Sequence, residues 1–253
     1  IGHELIHSPQ SSFIEKLYIR ILGVPINGLR IRIRRILPKI QGPVDEILDA
    51  GCGRGVFTFE IAKKFPESKV TAVDTDTEQL QINKEISLKA QLNNIHFQYQ
   101  DISSLSYKDH FGLVLSVDNL EHIENDQLAL ENLARALKVS GKLVLHVPAD
   151  KRRWFFFKFQ KNLDVPGHFR PGYTLDEITS KIKKTGLIVH EAYYTYGFLE
   201  NLSNNISYWI TKAEAKNKML YALAFPFINA LSWLGRNSQP QKGAGILVIA
   251  TKP

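Results

Sequence analysis

The sequence predicts an α/β chain: a mostly parallel sheet with helices on both faces. Three observations carry this. Short apolar runs recur from Glu46 onward, helical segments lie between most of them, and a glycine-rich turn follows the first run. The runs cover 47–50, 69–73, 95–99, 111–116 and 143–147, with helical spacing over 56–65, 77–91 and 126–138. Beyond Val147 a helix is predicted over 174–184, stopped by Gly186, then a strand over 187–196. A largely apolar helical stretch at 198–235 precedes a last strand at 245–251. Two late strands separated in this way suggest a closing pair, with the insert 198–243 as a lid or substrate region. Upstream, 1–43 reads as an N-terminal helical cap. It has an irregular leader, then Leu29, Ile33, Ile36, Leu37 and Ile40 at helical spacing among Arg30, Arg32, Arg34, Arg35 and Lys39. Gly42 and Pro43 punctuate the boundary, leaving 44–253 as the main domain.

Composition bounds the function. A chain of 253 residues with 44% hydrophobic and 23% charged residues buries a full core, which excludes disorder and fibrous repeats as the main description. Lys and Arg number 32 against 25 Asp and Glu, a net charge of +7 that favours an anionic partner. Charge alone does not separate nucleic acid from an acidic membrane. Cys52 is the only cysteine, so an intrachain disulfide and a cysteine-rich zinc site are excluded, and a reducing, cytoplasmic setting is expected. The most apolar stretch, 219–234, is short for a membrane span and is interrupted by Pro226, Asn229 and Ser232. Surface contact is the expectation there. The chain opens Ile-Gly-His and its one methionine is Met219, so a missing or trimmed native N-terminus is expected.

The turn Asp49-Ala50-Gly51-Cys52-Gly53-Arg54-Gly55 follows the first strand and opens a helix, where glycines let backbone approach a ligand closely. Its spacing is G-x-G-x-G. Val56 breaks the dinucleotide pattern G-x-G-x-x-G, and a phosphate loop would need Gly-Lys-Ser/Thr. Asp74 ends the second strand, where a carboxylate accepts from a ribose diol. Asp101 ends the third, where it can accept from an adenine amine with Ile102 on the ring. Together these ask for an adenosine without phosphates. Two other readings stay open: Asp49 as a cap of the turn, and Asp101 as a cap for Ser103 and Ser104.

At these residues the sequence resembles the class I S-adenosylmethionine-dependent methyltransferases, small-molecule branch. The pattern of two hydrophobic residues followed by Asp-x-Gly-x-Gly-x-Gly is matched by 47–55. Leu120-Glu121-His122 is similar to a segment after the fourth strand, and Ser140-Gly141-Lys142-Leu143 to the turn before the fifth. Gly112 departs from the family, where Asp is common. The resemblance implies a Rossmann-like, seven-stranded, mostly parallel sheet with an antiparallel last strand and a helical lid insert. It implies S-adenosylmethionine as cofactor and S-adenosylhomocysteine as product. Gly51, Cys52, Gly53 and Gly55 would line the methionine moiety, with Asp49 under its ammonium group. Asp74 and Thr75 would hold the ribose, Asp101 and Ile102 the adenine, and Ser116 and Val117 would lie near the sulfonium.

Methyl transfer is an in-line displacement, so a protein mainly aligns the nucleophile and excludes water. A base is needed only where the nucleophile loses a proton. His122 is the candidate by resemblance, against a structural histidine ordering its loop. Asp118, Glu121 and His122 form D-x-x-E-H, which looks like a grouping in some metal-using quinone-precursor O-methyltransferases. Solvated charges explain it more simply, and no metal is assigned. The segment 167–174, GHFRPGYT, resembles an acceptor-side segment of the family. His168, Arg170 and Tyr173 are therefore expected to face substrate, with a loop-ordering network capped by Thr174 as the competing reading.

The acceptor is expected to be small and lipophilic. Trp154, Phe155, Phe156, Phe157 and Phe159 sit among cations in KRRWFFFKFQK, and the insert adds Leu220, Leu223, Phe225, Phe227, Ile228 and Trp233. These stripes suit peripheral contact with an anionic membrane, packing onto the core, or a homodimer. Two further readings are a nucleic-acid methyltransferase and a cofactor-binding scaffold without catalysis. Against the first, Ser116-Val117-Asp118-Asn119 does not resemble Asp/Asn-Pro-Pro-Tyr, so no nucleic-acid partner is expected. Against the second, the cofactor positions are intact.

Overall fold

The computed structural model describes residues 1–153, 159–161, 167–211 and 217–253. Five strands come first: β1 (Glu46–Ala50), β2 (Lys69–Asp74), β3 (Ile95–Tyr99), β4 (Phe111–Val117) and β5 (Leu137–Pro148). A separate antiparallel pair follows, β6 (Lys151–Arg153) and β7 (Phe159–Lys161), which the sequence pattern did not reveal. Then come β8 (Ile188–Thr195) and β9 (Gly245–Thr251). The main sheet has seven strands in the order β3-β2-β1-β4-β5-β9-β8. β1 pairs in parallel with β2 and β4, while β9 runs antiparallel between β5 and β8. The expected Rossmann-like sheet is therefore present, and strand order reverses between β1 and β4. In such sheets ligands lie beyond the strand carboxyl ends at that reversal.

Alternation within the strands sends successive side chains to opposite faces. Ile47, Val70 and Leu113 join one core with α3 (Val56–Lys64) and α4 (Thr77–Lys89). Leu48, Val114 and Leu143 join the other with α5 (Asp126–Ala136) and α6 (Leu175–Lys184). With both faces covered, the strands read as continuous apolar runs. β5 begins earlier than its apolar run suggests because Leu137 already pairs with Phe111. The register of that pairing shifts between Phe111 and Leu113, on either side of Gly112.

The N-terminal region departs from its reading as an irregular leader. It contains α1 (Phe13–Leu22), started by a capping box in which Ser12 and Glu15 bond each other's backbone, and α2 (Asn27–Ile36). The apolar stretch 198–235 is two helices, α7 (Phe198–Thr211) and α8 (Lys218–Leu234), packed together with Ser207 Oγ 3.1 Å from the Tyr221 hydroxyl. Among the described residues no helix is long and apolar enough to cross a membrane. The cluster Trp154 to Phe157 lies outside the described residues, and for Phe159 only the backbone is described.

Cap and insert are joined by the arginines of α2. Arg35 and Glu200 are both buried. Arg35 Nε and Nη2 donate to the Glu200 carboxylate at 2.9 and 2.6 Å, and Gly197 N donates to the same group at 2.9 Å. Arg34 donates to Ser232 Oγ at 2.9 Å and also to Asn229 Oδ1. Arg30, 6% exposed, donates to the backbone carbonyls of Val24 and Leu22. Removing one partner of a buried ion pair strands the other charge, at a cost of about 3–5 kcal/mol. Glu200→Ala is accordingly expected to lose about that much in urea unfolding. A loss below about 1 kcal/mol would show that the pair does not hold cap to insert.

Candidate functional site

The carboxyl ends of β1, β2 and β3 meet at one cavity. The turn after β1 is held to β2 by Gly51 N and Cys52 N, which donate to Val73 O at 2.9 and 3.0 Å. Gly51 has φ 81°, and a Cβ there would lie 2.3 Å from the Asn119 side chain, so the turn and the loop after β4 touch only because this residue is glycine. At Gly53, φ 47°, a Cβ would meet nothing within 4 Å, leaving open space over the turn. Asp74 Oδ2 accepts from Gly53 N at 2.7 Å and Oδ1 from Asp76 N at 3.0 Å, which fixes its carboxylate beside the turn. Asp101 Oδ1 accepts from Ser103 N at 2.7 Å, so this residue does cap the short helix that follows it.

This smaller cavity, about 410 Å³, is lined by Gly51, Asp74, Thr75, Asp101 and Ile102, together with His122. Of the predicted cofactor set, the remaining residues line neither this cavity nor the larger one described below. Gly53 and Gly55 shape the turn. Cys52 is buried, and burial pushes its thiol well above the usual range, so it stays neutral. Asp49 lies beneath the turn, 2% exposed, accepting from Thr58 Oγ1 at 2.6 Å. Ser116 is buried with its Oγ unpartnered, and Val117 packs against the core. Asn119, Gln100 and Phe169 also line the cavity and were missed, since polar or aromatic loop residues carry no periodic signal.

The charge of this cavity tests what it suits. Asp74, Asp101 and Glu124 line it, while among its described lining residues there is no Lys or Arg. An anionic wall without cations repels the phosphates of a dinucleotide and suits a nucleoside carrying positive charge. The residues present therefore fit S-adenosylmethionine.

A larger cavity, about 1040 Å³, lies between the cap and the insert. Its wall includes Tyr18, Ile19, Ile26 and Leu29 from the cap, Met219 and Ala222 from α8, and Arg54 from the glycine turn. Asp118, at φ 48°, and His146, near the end of β5, complete one side. His146 Nδ1 lies 2.6 Å from Asp118 Oδ1 and Nε2 2.9 Å from Thr195 Oγ1, while Arg32 Nη1 pairs with Asp118 Oδ2 at 2.7 Å. Sequence reasoning missed His146, which stands inside an apolar strand. The two cavities share borders: Asp118 lines the larger and Asn119 the smaller, just as Arg54 and Gly51 do on the turn.

The segment 167–174 splits. His168 faces His122, with ring centroids 4.3 Å apart, and His122 Nδ1 lies 3.0 Å from Gly167 O. Arg170 and Tyr173 converge elsewhere, on buried Asp126. Arg170 Nη1 pairs with it at 2.8 Å, the fully buried Tyr173 hydroxyl donates to it at 2.9 Å, and Lys181 adds a third contact at 2.9 Å. Neither Arg170 nor Tyr173 lines either cavity, because a buried carboxylate demands these partners. The loop-ordering arrangement is the one observed, with Thr174 Oγ1 capping α6. The D-x-x-E-H residues also part. Asp118 turns to Arg32 and His146, whereas Glu121, His122 and His168 place ligand atoms within 4.8 Å of one another. Burial first, and Asp118 second, raises the Glu121 carboxyl above the usual range, and its Oε2 is buried without a hydrogen-bond partner. An oxygen and two imidazole nitrogens at that spacing could hold a divalent cation.

Burial also pushes the Asp49 carboxyl up to about 6, against the opposing bond from Thr58. The folded chain then keeps a proton that the unfolded chain loses near pH 4, so stability falls as pH rises from about 4 to about 6. Asp49→Asn is expected to remove a decline on the order of 2 kcal/mol, read from urea midpoints at about pH 4.5 and pH 7. Equal declines in both proteins would place the carboxyl in a different environment.

A family model described as a methyltransferase domain matches residues 43–224. The chain is 32% identical over 120 residues to (S)-coclaurine N-methyltransferase of Thalictrum flavum subsp. glaucum, covering 43% of this chain and 33% of that protein. It is 33% identical over 115 residues to the ubiquinone biosynthesis O-methyltransferase of Coxiella burnetii, covering 45% and 47%. The matches thus span a third to a half of these relatives' lengths. Among solved structures, Haemonchus contortus phosphoethanolamine N-methyltransferase 2 in complex with S-adenosyl-L-methionine superposes with a TM-score of 0.64 at 18% identity, over all of this chain and 60% of that one.

Proposed function

The chain belongs to the methyltransferase-domain family, and from that premise we propose that it transfers a methyl group from S-adenosylmethionine to a small, lipophilic acceptor by in-line displacement. The observation that carries this reading is the pair of cavities lined by the consecutive residues Asp118 and Asn119. The smaller one is acidic and suits a cationic nucleoside, and the larger one is mostly apolar. Methyl transfer needs donor and acceptor side by side with water excluded between them.

The bound cofactor supplies an electrophilic methyl group on a sulfonium. The remaining work falls to this chain's residues. Asp74, already fixed by Gly53 N and Asp76 N, keeps lone pairs for a ribose diol. Asp101 and Ile102 take the adenine, and the open space over Gly53 receives the methionine moiety. Asp49, Ser116 and Val117 act from beneath, through the field and shape of the turn and strand end. In the larger cavity, Tyr18, Ile19 and Leu29 enclose an apolar acceptor body.

Where the acceptor is a hydroxyl or phenol, a base takes its proton. His122 borders the cofactor cavity. His122 Nδ1 faces Gly167 O, which leaves its Nε2 for that proton, whereas both ring nitrogens of His146 are taken, by Asp118 and Thr195. The Glu15 and Arg32 side chains bring charge of both signs to the same cavity, so the reading does not require an anionic substrate. The two relatives described above carry coclaurine and ubiquinone biosynthesis in their names, which supports a small acceptor over a nucleic acid.

Isothermal titration with S-adenosylhomocysteine tests the cofactor half: Asp74→Ala is expected to weaken binding at least about tenfold, the loss of a charge-assisted hydrogen bond. Unchanged affinity would refute the assignment of the smaller cavity. An acceptor screen with methyl-labelled cofactor tests the other half. For a hydroxyl acceptor, His122→Ala should slow turnover by about 100-fold or more. Undiminished turnover in that variant would refute His122 as the base.

A further inference from the structure

Ordinary surface helices turn their apolar stripe toward the core. Two helices here do the opposite. On α1, Phe13, Leu17 and Ile21 follow one another at four-residue spacing with Ile14 beside them, and they are 81%, 49%, 70% and 78% exposed. Only Ile19 of that helix is buried. On α8, Met219, Leu223 and Phe227 repeat the pattern at 79%, 76% and 87% exposed, while Phe225 and Ile228 face inward. The two helices touch through Tyr18, whose hydroxyl donates to Ala222 O at 2.7 Å and whose ring is 6.5 Å from that of Phe225. Both exposed Ile14 and exposed Met219 also line the larger cavity, so its mouth opens between the two stripes.

We propose that the solvent-facing sides of α1 and α8 form one docking surface for an anionic bilayer, against which the mouth of the larger cavity opens. Charge selects this occupant. Lys16 and Arg20 run beside the α1 stripe one turn apart and Lys218 opens α8, against Glu15 as the one carboxylate on these two helices. Apolar side chains flanked by cations match the boundary between acyl chains and anionic headgroups. A second copy of this chain, meeting the same face about a two-fold axis, would bring two patches of the same net positive charge together. Bilayer contact through α1 and α8 delivers a lipophilic acceptor to the cavity without passage through water. That delivery rests on the reading of the larger cavity as the acceptor site, whereas the docking itself does not.

The test is flotation of the full chain with vesicles of phosphatidylcholine containing about 30 mol% phosphatidylglycerol, beside vesicles of phosphatidylcholine alone. Wild type is expected to float with the anionic vesicles, and Leu223→Glu/Phe227→Glu to lose at least about tenfold in partitioning. Lys16→Glu/Arg20→Glu should abolish the preference for the anionic lipid. All four side chains lie outside the cavities, so affinity for S-adenosylhomocysteine should stay at the wild-type value in each variant and report an intact fold. A monomeric wild type that stays at the bottom of the gradient overturns the proposal. So does a wild-type dimer that Phe227→Glu splits, or a Leu223→Glu/Phe227→Glu variant that floats like wild type. Vesicle binding without cofactor binding would instead overturn the reading of the smaller cavity and leave the docking surface standing.

Discussion

The arginines of α2 cannot leave water without partners, and satisfying them organises how the cap meets the insert. A guanidinium removed from water needs a carboxylate or several carbonyls around it. Arg35 takes Glu200 at the start of α7, Arg34 takes Ser232 and Asn229 on α8, and Arg32 takes Asp118 at the end of β4. One short helix is thereby tied to the insert at two places and to the sheet at a third. The larger cavity is the space these ties enclose.

Because Arg32 holds Asp118 toward the larger cavity, the next residue, Asn119, is directed to the smaller one and packs over Gly51. A step of one residue at the end of a strand thus separates two environments. The smaller cavity has carboxylates and no lining Lys or Arg among the described residues, while the larger has an apolar wall with a His146–Asp118–Arg32 group at one edge. Strand-order reversal between β1 and β4 creates the crevice, and the polar pairs decide which chemistry faces each side of it.

The legible part of the site was the part written in consecutive residues. Gly51, Asp74, Thr75, Asp101 and Ile102 sit at strand ends, where apolar runs stop at the same height in the sheet, and they line one cavity. His146 was not legible, because within an apolar strand it looks like any core position. Arg170 and Tyr173 were in view but paired with Asp126, a partner that only folding brings near. The basic row of α2 read as the polar side of an amphipathic helix, yet Arg30 and Arg35 are interior and satisfied. The cations of the docking proposal lie instead on α1 and α8.

By itself the sequence determined the α/β class, the order of the main sheet's strands and of α3 to α6 along the chain, and the glycine turn with its two acidic partners, since these depend on periodicity and on backbone conformations that few residue types adopt. Tertiary structure alone decided that the insert folds back as α7 and α8, and that β9 enters between β5 and β8. It also decided which arginines are buried. The reason is that such outcomes depend on partners far away in the chain, Arg35 on Glu200 and Asp118 on His146, whose approach leaves no local pattern to read.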